Sequence, residues 1–313
     1  ALFQFFSKTF LVSQLALAYV ILSEEFPAGM RGRANGLMGA FASVGAALPA
    51  WFLAPLESTG SGWRGLFLLG ALPLLLLPIY FAKLQETRLF ASIRSEQKES
   101  LWLRVRSLVS PAQRARFVGI TLVWFMVNFW SSVVMFSFVF YVFNERNWTA
   151  EDLQWVPLAT VPFAFVGYGI AGLVMDFVGR RQALCGFLIL GVLASWVCYQ
   201  SDAYWVIVLA WASLQMLQGL WTIAATMTTE LFETEKRASA NAVAHNLLGR
   251  WGMVLGPLAV GLLSGPSGST GAAVSWLAGL NLLFLPAILW LLPETRGLDL
   301  ALPSREGSSK SEG

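Results

Sequence analysis

Long apolar segments alternate with short polar links along most of the chain. A helix that crosses the hydrocarbon core of a bilayer needs about 20 apolar residues, and nine segments approach or exceed that length. They lie at about 2–23, 36–56, 64–84, 117–143, 154–175, 182–200, 204–229, 240–263 and 271–292. The pattern predicts an all-α membrane protein with about nine transmembrane helices.

A single link is long and charged, at residues 85–116, and it contains Pro111. It predicts that residues 1–84 are the end of one six-helix half and that residues 85–116 are a linker. Residues 117–292 would then form a second six-helix half, and residues 293–313 a tail. Within the linker, Leu101, Val105 and Leu108 share one helical stripe. We expect a short amphipathic helix there, lying at the inner membrane interface or solvated in the cytosol.

A polar patch occurs twice in the chain, at residues 24–35 and again at residues 230–241. Both copies contain Glu, then Phe two residues later, Arg five residues further on, and Ala-Asn. A repeat this long between apolar segments indicates two homologous membrane halves, as in many secondary transporters. The second copy follows four spans of its half and the first copy follows only one. We therefore expect a fragment that begins at the fourth span of a twelve-helix protein.

The composition agrees with a membrane protein, since 56% of the residues are hydrophobic, 12% are charged and the mean hydropathy is +0.62. Soluble domains carry about twice that share of charge. The net charge of +3 gives no electrostatic footprint for binding nucleic acid. The expected partners are therefore the lipid bilayer and a small-molecule substrate.

Lys and Arg are concentrated in alternate links, and the positive-inside rule places those links in the cytoplasm. Outside the linker, these basic residues are Arg31, Arg33, Arg180, Arg181, Lys236, Arg237, Arg296, Arg305 and Lys310. The opposite side carries little beyond Arg64 and Arg146. This asymmetry predicts a multi-pass protein of the plasma or inner membrane with the linker and the tail inside.

The link after the fifth segment contains the string Gly172-Leu173-Val174-Met175-Asp176-Phe177-Val178-Gly179-Arg180-Arg181. Other short strings border the third and last spans: Gly62-Trp63-Arg64, Gln85-Glu86-Thr87-Arg88 and Pro293-Glu294-Thr295-Arg296-Gly297. Together with the duplicated patch, they resemble the major facilitator superfamily, in a branch of organic-ion, aromatic-acid and sugar-porter type. The resemblance covers nearly the whole chain. It implies a transporter of twelve helices that works by alternating access between two halves.

Asp176 is a carboxylate at a helix end, where it can meet the positive N-terminus of another helix. The start of the span after Arg237 is the candidate, and Arg180 and Arg181 are expected to pair with Glu230. The resemblance implies that such contacts close the cytoplasmic side; the alternative is that the charges only mark a cytosolic loop. The set of gating candidates is Asp176, Gly179, Arg180, Arg181, Glu230, Arg237, Glu24 and Arg31.

Arg250 lies about ten residues into the eighth span, so roughly 15 Å deep. An Arg at that depth costs roughly 2.5–3.5 kcal/mol on insertion scales, so it needs a wet cavity or a partner. Asn246, Gly249, Arg250, Met253 and Pro257 form one stripe of an ideal helix. The stretch from Arg250 to Pro257 also resembles the eleventh span of organic-ion and aromatic-acid transporters, which is linked to anionic substrates. We expect Arg250 to bind a carboxylate, with a structural pair inside the protein as the alternative.

His245 is the single histidine and is the candidate for proton coupling, although helix packing is the simpler interpretation. On an ideal helix it lies about 140° from Arg250, so the two would not share a face. Lys8 is expected either to reach the outer interface or to face the cavity. The neutral polar or aromatic candidates for the substrate cavity, with helix–helix packing as the alternative, are Asn128, Trp130, Gln215, Gln218 and Trp221.

These observations predict a secondary active transporter for a small organic solute, with a carboxylate or other organic anion favoured and protons as the candidate coupling ion. The alternatives are efflux of drugs or metabolites by proton antiport, sugar uptake, and a sensor that binds solute without moving it. The sequence shows no metal-ligand cluster, no nucleotide-binding loop and no nucleophile–histidine–acid set. An enzyme, a metal site and a cofactor are therefore not expected.

Overall fold

A computed structural model describes residues 2–60, 62–83, 87 and 101–298, and all regular secondary structure in these ranges is helical. The helices are α1 Leu2–Glu25, α2 Arg31–Ser58, α3 Gly62–Lys83, α4 Leu101–Leu108, α5 Arg114–Glu145, α6 Ala150–Gln154, α7 Val156–Phe177, α8 Arg180–Gln200, α9 Tyr204–Leu231, α10 Thr234–Gly265 and α11 Thr270–Leu291. Each of the nine predicted apolar segments lies in one of the nine long helices.

Seven helices of the described residues are long and apolar enough to cross a membrane, namely α3, α5, α7, α8, α9, α10 and α11. The expected number of about nine was therefore too high by this criterion. The two long helices outside the set are α1 and α2. In α2 the first turn carries Arg31 and Arg33, and small residues occupy much of the rest. Small residues contribute little hydropathy but let two helices approach closely.

Helix α2 packs along α7, and glycines set the distance between the two helices. A Cβ atom on Gly172 would lie 2.5 Å from the carbonyl oxygen of Gly32 and 3.1 Å from the Cα atom of Gly36. Any larger residue at these points would push the backbones apart. Further along, the rings of Phe41 and Phe165 meet edge to face at 5.9 Å. The contact joins the two predicted halves of the protein.

Three long helices change their winding within their length. Helix α9 contains a 3₁₀ turn at Leu217–Gly219, α10 contains a π-helical stretch at Ala242–Gly249, and α11 contains a 3₁₀ turn at Asn281–Leu283. Irregular turns of this kind inside a helix often mark functional sites or hinges. The turn in α9 precedes Trp221 by two residues, and the stretch in α10 contains His245.

Helix α10 lies close against α5, again through glycines. Cβ atoms on Gly249 and Gly252 would meet the backbone or Cβ atoms of Trp124, Phe125 and Phe129 within 3.1 Å. The sequence placed Gly249 on one stripe with Arg250. In the structure Gly249 faces α5.

The predicted linker helix is present as α4, and its Leu108 is fully buried. It packs against the first turns of α10.

Thr149 and Asp152 form the capping box that opens α6. Hydrogen bonds from the backbone and side chain of Thr149 lower the pKa of the Asp152 carboxyl group.

Candidate functional site

Charged side chains meet at one end of the helix bundle, which we call the basic end. The helices that reach it are α1, α2, α7, α8, α9, α10 and α11. Glu230 lies at its centre and accepts two hydrogen bonds from Arg180, at 2.9 Å from Nε and 2.8 Å from Nη2. Thr295 donates to the same carboxylate at 2.6 Å, and Arg31 lies 3.9 Å from it. Both partners of the Glu230–Arg180 pair are fully buried. The predicted pairing of Arg180 with Glu230 is therefore present.

The two copies of the repeated patch pair with each other across the basic end. Glu24 of the first copy accepts a 2.8 Å hydrogen bond from Arg237 of the second, and Thr87 donates to Glu24 at 2.5 Å. Each repeated Arg also turns back to a carbonyl five residues earlier: Arg31 to Phe26 and Arg237 to Phe232. The sequence identified the repeat but not this cross-pairing.

Asp176 meets a helix N-terminus, but not the one that the sequence favoured. Its two carboxylate oxygens each accept a hydrogen bond at 3.0 Å, from the backbone N–H groups of Gly32 and Arg33. These groups open α2, whereas the expected helix was the one that follows Arg237. The α2–α7 contact explains the difference, because it places the end of α7 directly on the start of α2. A carboxylate there is stabilised by the helix dipole and the free N–H groups.

Gly179 and Glu294 hold the turn that leads into α8. Gly179 has φ +118°, and a Cβ atom there would lie 2.7 Å from Glu294 Oε2. Glu294 accepts from the backbone N–H of Arg180 at 2.7 Å and of Arg181 at 3.0 Å. The Arg181 guanidinium donates to carbonyl groups near the end of α11 and makes no ion pair with Glu230. The predicted pairing of Arg181 with Glu230 is wrong, because the turn directs Arg181 towards α11.

A row of hydroxyl groups on α9 continues the contact towards the membrane centre. Thr229 bonds to Ser23 at 2.8 Å, Thr226 accepts from Asn35 at 2.9 Å, and Thr222 bonds to Tyr19 at 3.0 Å. These three threonines share one helical face. Together with the ion pairs of the basic end, the hydroxyl row joins α1 and α2 to the helices of the second half. The structure is therefore closed at the basic end.

Three rings form a cluster further into the membrane, which we call the aromatic site: Trp124, Trp221 and His245. The imidazole of His245 stacks on Trp124 with centroids 3.6 Å apart and planes 11° apart. Trp221 lies 5.9 Å from Trp124 and 5.7 Å from His245. Sequence reasoning missed Trp124. The sequence signal for it is helical spacing: Trp124 lies one turn before Asn128 and two turns before Ser131, so all three share one face of α5.

Polar side chains beside the aromatic site are only partly satisfied. Gln218 Oε1 accepts from Ser131 Oγ at 2.8 Å and from Trp221 Nε1 at 3.0 Å, and Asn128 Nδ2 donates to the Trp124 carbonyl at 2.7 Å. Within the described structure, Gln218 Nε2, Asn128 Oδ1 and His245 Nε2 are buried and have no hydrogen-bond partner. Each such group costs about 1–3 kcal/mol. The three atoms are therefore available to a ligand.

The π-helical stretch changes the relation between Arg250 and His245. The backbone N–H of Arg250 donates to the carbonyl of His245, five residues earlier, at 3.0 Å. Five residues make about one turn of a π-helix, so the two residues lie on the same side of α10. The expectation that they would not share a face, based on an ideal α-helix, is wrong. The Arg250 guanidinium is half-buried and has no ion pair or hydrogen bond among the residues that the structure describes.

The other sequence candidates lie in different surroundings. Asn246 precedes Arg250 in the π-helical stretch, and its Oδ1 is buried without a partner in the described part of the chain. Trp130 is fully buried and donates to Ser195 at 3.2 Å, so it packs against α8 instead of joining the aromatic site. Gln215 is half-buried and makes no side-chain hydrogen bond to the described residues. The side chain of Lys8 lies outside the described part of the structure.

The described residues contain no group of three or more His, Cys, Asp or Glu side chains that could hold a metal ion. They combine membrane-spanning helices, a closed charged end and a mid-membrane site with unsatisfied polar atoms, which defines a multi-pass membrane transporter. Residues 131–311 match the sequence profile of the Major Facilitator Superfamily. Because the match covers more than half of the chain, the protein belongs to that superfamily. Its members are multi-pass integral membrane transporters, not enzymes, and the bacterial homologues lie in the plasma membrane.

Bacterial transporters are similar to the chain over most of its length. It is 27% identical to the niacin/nicotinamide transporter NiaP of Bacillus subtilis, a match that covers 92% of this chain and 71% of that protein. It is 26% identical to a metabolite transport protein of Haemophilus influenzae, with 91% and 71% covered. A niacin transporter NiaP of Acinetobacter baylyi is 24% identical, with 82% and 64% covered.

Among solved structures, the proton:xylose symporter XylE matches with a TM-score of 0.67 and 16% identity. The match covers 92% of this chain and 69% of that one. At this identity the likeness establishes the fold alone.

Proposed function

We propose that this protein transports small aromatic carboxylates of the niacin type by alternating access. The observation that carries the proposal is Arg250, a guanidinium near the middle of a span that has no partner among the described residues. A planar guanidinium binds a carboxylate through two parallel hydrogen bonds, and it does so most strongly where water is excluded. A mid-membrane Arg without a protein partner is best explained as the binding group for an anionic substrate.

The aromatic site supports a planar ring in the substrate. The ring centroids of Trp124, Trp221 and His245 lie within 6 Å of one another, and His245 lies about one turn of α10 from Arg250. Aromatic pairs contribute about 0.5–1.5 kcal/mol beyond the area that they bury. A pyridine or benzene carboxylate would use both the ring cluster and the guanidinium. Two of the bacterial relatives carry niacin in their names.

The basic end supports the alternating-access part of the proposal. Its ion pairs and the hydroxyl row join the predicted halves on one side of the membrane only. Opening on that side would break the contact of Glu24 with Arg237, that of Asp176 with the start of α2 and that of Glu230 with Arg31. The Glu230–Arg180 pair lies within the second predicted half and would remain, while the separated ions would recover their hydration. Substrate would shift the equilibrium between the two forms by binding them with different affinity.

His245 remains the candidate for proton coupling. Its imidazole is buried against Trp124, and its Nε2 has no partner within the described structure. A proton taken up there would place a cation on an indole face and one turn from Arg250. A bound carboxylate would offset the repulsion between the two cations, so proton and acid binding would favour each other.

The test is binding of nicotinate and of nicotinamide, which has the same ring without the charge, to the purified full-length protein. Arg250→Ala should weaken nicotinate binding at least 10-fold and nicotinamide binding much less, because a hydrogen bond to a charged group contributes about 1.5–3 kcal/mol. Arg250→Lys keeps the charge but loses the planar fork, and should give an intermediate loss. Equal losses for acid and amide would show that Arg250 holds helices together, and would end the carboxylate proposal.

Uptake of labelled nicotinate into proteoliposomes then separates transport from sensing. An inward proton gradient is imposed. A proton-coupled carrier should then accumulate the acid inside the vesicles, whereas a carrier without proton coupling should only equilibrate its concentration. Binding without any uptake would support the sensor.

A further inference from the structure

The amide of Gln218 has a fixed orientation. Its side chain is 9% exposed, and its Oε1 accepts hydrogen bonds from Ser131 Oγ and Trp221 Nε1. An indole N–H can only donate, so the atom of Gln218 that faces Trp221 must be the oxygen. The amide nitrogen is therefore on the other side, and there it has no partner among the described residues. Gln218 presents a buried donor to the surroundings of the aromatic site.

The backbone below this amide is held tightly. Gln218 occupies the 3₁₀ turn of α9, and a Cβ atom on the next residue, Gly219, would lie 2.6 Å from Ala171 Cβ and 2.9 Å from the Gly167 carbonyl oxygen. The turn is thus pressed against α7 and has little room to move. Since Ser131 and Trp221 also hold the oxygen, the free N–H₂ group is preorganised.

We propose that Gln218 Nε2 donates a hydrogen bond to a neutral acceptor on the ring of the transported acid, such as a pyridine nitrogen. The inference rests on the proposed function, because it assumes that the acid's carboxylate binds Arg250. Its consequence is selectivity for heteroaromatic acids over carbocyclic acids of the same shape. A desolvated donor that meets a C–H group stays unpaired, and sites built to hydrogen-bond a substrate reject analogues that lack the partner.

Three features of the structure favour a neutral acceptor over an anionic one. The group is an uncharged amide, its own oxygen is already committed to two donors, and the Arg250 guanidinium is present for the anionic group. Asn128 lies one turn from Ser131 on α5 and leaves an acceptor, Oδ1, without a partner in the described residues. The surroundings of the aromatic site therefore offer both a donor and an acceptor to the polar atoms of a ring.

The experiment compares nicotinate with benzoate, the same acid without the ring nitrogen, by calorimetry or scintillation proximity on the full-length protein. Wild type should bind nicotinate at least 10-fold more tightly. Gln218→Glu keeps an oxygen for Ser131 and Trp221 and removes the donor; Gln218→Met is the uncharged counterpart. Both should lower nicotinate affinity about 10- to 100-fold and bring the nicotinate-to-benzoate ratio close to one. Gln200→Met, at the end of α8, where the amide donates to Ser275 and to the Gly271 carbonyl group, should leave that ratio unchanged.

The position of the ring nitrogen sharpens the test. Picolinate, nicotinate and isonicotinate carry the ring nitrogen at three different angles from the carboxylate. Because the donor is fixed, wild type should bind one isomer much more tightly than the other two, and neither Gln218 variant should show this preference. Equal affinity of wild type for nicotinate and benzoate overturns the inference without any variant. If wild type discriminates, but the ratio is unchanged in both Gln218 variants while Arg250→Ala still abolishes acid binding, the inference fails and the proposed function stands. Failure of wild type to bind either acid overturns both.

Discussion

The basic end and the aromatic site use similar residue types in opposite ways. At the basic end, Glu230, Arg180, Glu24 and Arg237 are buried, and each has an oppositely charged partner and further hydrogen bonds. At the aromatic site, the Arg250 guanidinium has no such partner in the described part of the protein, and the neighbouring amides and imidazole leave buried atoms unpaired. Among the described residues, the basic end pairs these four charges, although Asn35 Oδ1 and Arg181 Nε there are buried without a partner. Beside the aromatic site, the guanidinium itself is unpaired in the described structure.

On the proposed function, this difference separates groups that hold a conformation from groups that bind a ligand. A guanidinium without a partner costs more stability than an unpaired amide atom, so we infer that Arg250 has another use. A buried ion pair contributes little net stability, because the desolvation of its ions nearly offsets their attraction. That balance suits a contact that must form and break in each transport cycle. The ion pairs can then define the geometry of the closed form without stabilising it so strongly that it cannot open.

The largest effect should come from removing one member of the buried pair at the basic end. Glu230→Met removes both hydrogen bonds that Arg180 makes to this carboxylate and leaves the buried guanidinium with Asp176, 3.4 Å from its Nη1, as the remaining ion-pair partner. The loss should destabilise the protein by about 3 kcal/mol, the lower end of the cost of breaking a buried pair. The double variant Arg180→Met/Glu230→Met removes both charges and should regain most of that loss. The measurement is the midpoint of thermal unfolding in detergent, followed by size-exclusion fluorescence.

A matched control uses the ion pair between Lys236 and Glu233, whose carboxylate is 51% exposed. Glu233→Gln should change stability by less than about 1 kcal/mol. A Glu230→Met variant as stable as wild type would mean that water reaches Arg180 in the closed form. The basic end would then no longer differ from the aromatic site in keeping its charges paired away from water.

Much of the architecture could be predicted from the sequence because it depends on local pattern. The nine apolar segments match nine long helices, since segment length and hydrophobicity decide which residues enter a membrane. The Arg180–Glu230 pair was also predicted, because charges in short links have few other partners. The superfamily was identified for the same reason, from short strings at helix ends.

The rest depends on how helices pack and wind, which pattern alone does not fix. The helix that receives Asp176 is α2, because the glycines of α2 and α7 bring those two helices together from distant parts of the chain. The face of His245 was wrong because a π-helical stretch adds a residue to the turn. Trp130 was placed in the cavity on its residue type, although packing buries it against α8. The aromatic site needed all three helices in place before its members could be seen as neighbours.

A smaller effect is expected at Asp176, where the closed form uses a carboxylate at a helix N-terminus. Asp176→Asn keeps one oxygen but removes the charge, so the closed form should lose about 1–2 kcal/mol relative to the form open at the basic end. That shift changes the ratio of the two forms about 5- to 30-fold. The measurement is alkylation of a cysteine at the fully buried Thr229, with Cys185 and Cys198 replaced by Ala. The rate should rise in the variant.

Asp152→Asn is the matched control, because Asp152 is also a carboxylate in a helix cap but belongs to α6, away from the basic end. It should not change the alkylation rate at position 229. An unchanged rate in Asp176→Asn, together with normal transport, would reduce the loop to a marker of topology. The closed state would then rest on the ion pairs and hydroxyl row alone.

The smallest effect on stability is expected at Asn128. This residue also gives the most direct test of the difference between the basic end and the aromatic site. Its side chain is fully buried, its Oδ1 has no partner among the described residues, and its Nδ2 bonds only to a carbonyl of its own helix. Replacing such a group by an apolar residue of similar size is nearly neutral. Asn128→Leu should therefore keep the thermal midpoint of wild type, or raise it slightly, while weakening the binding of nicotinate. Asn35→Leu is the counterpart at the basic end. That amide is equally buried and its Oδ1 also has no partner among the described residues, but its Nδ2 bonds to Ser23 and Thr226, the latter across the predicted halves. This substitution should lower the stability by about 1–3 kcal/mol, because the two hydroxyl groups lose their donor. Equal losses of stability in the two variants would show that Asn128 is a structural residue, and the contrast between the paired groups of the basic end and the unpaired groups of the aromatic site would no longer hold.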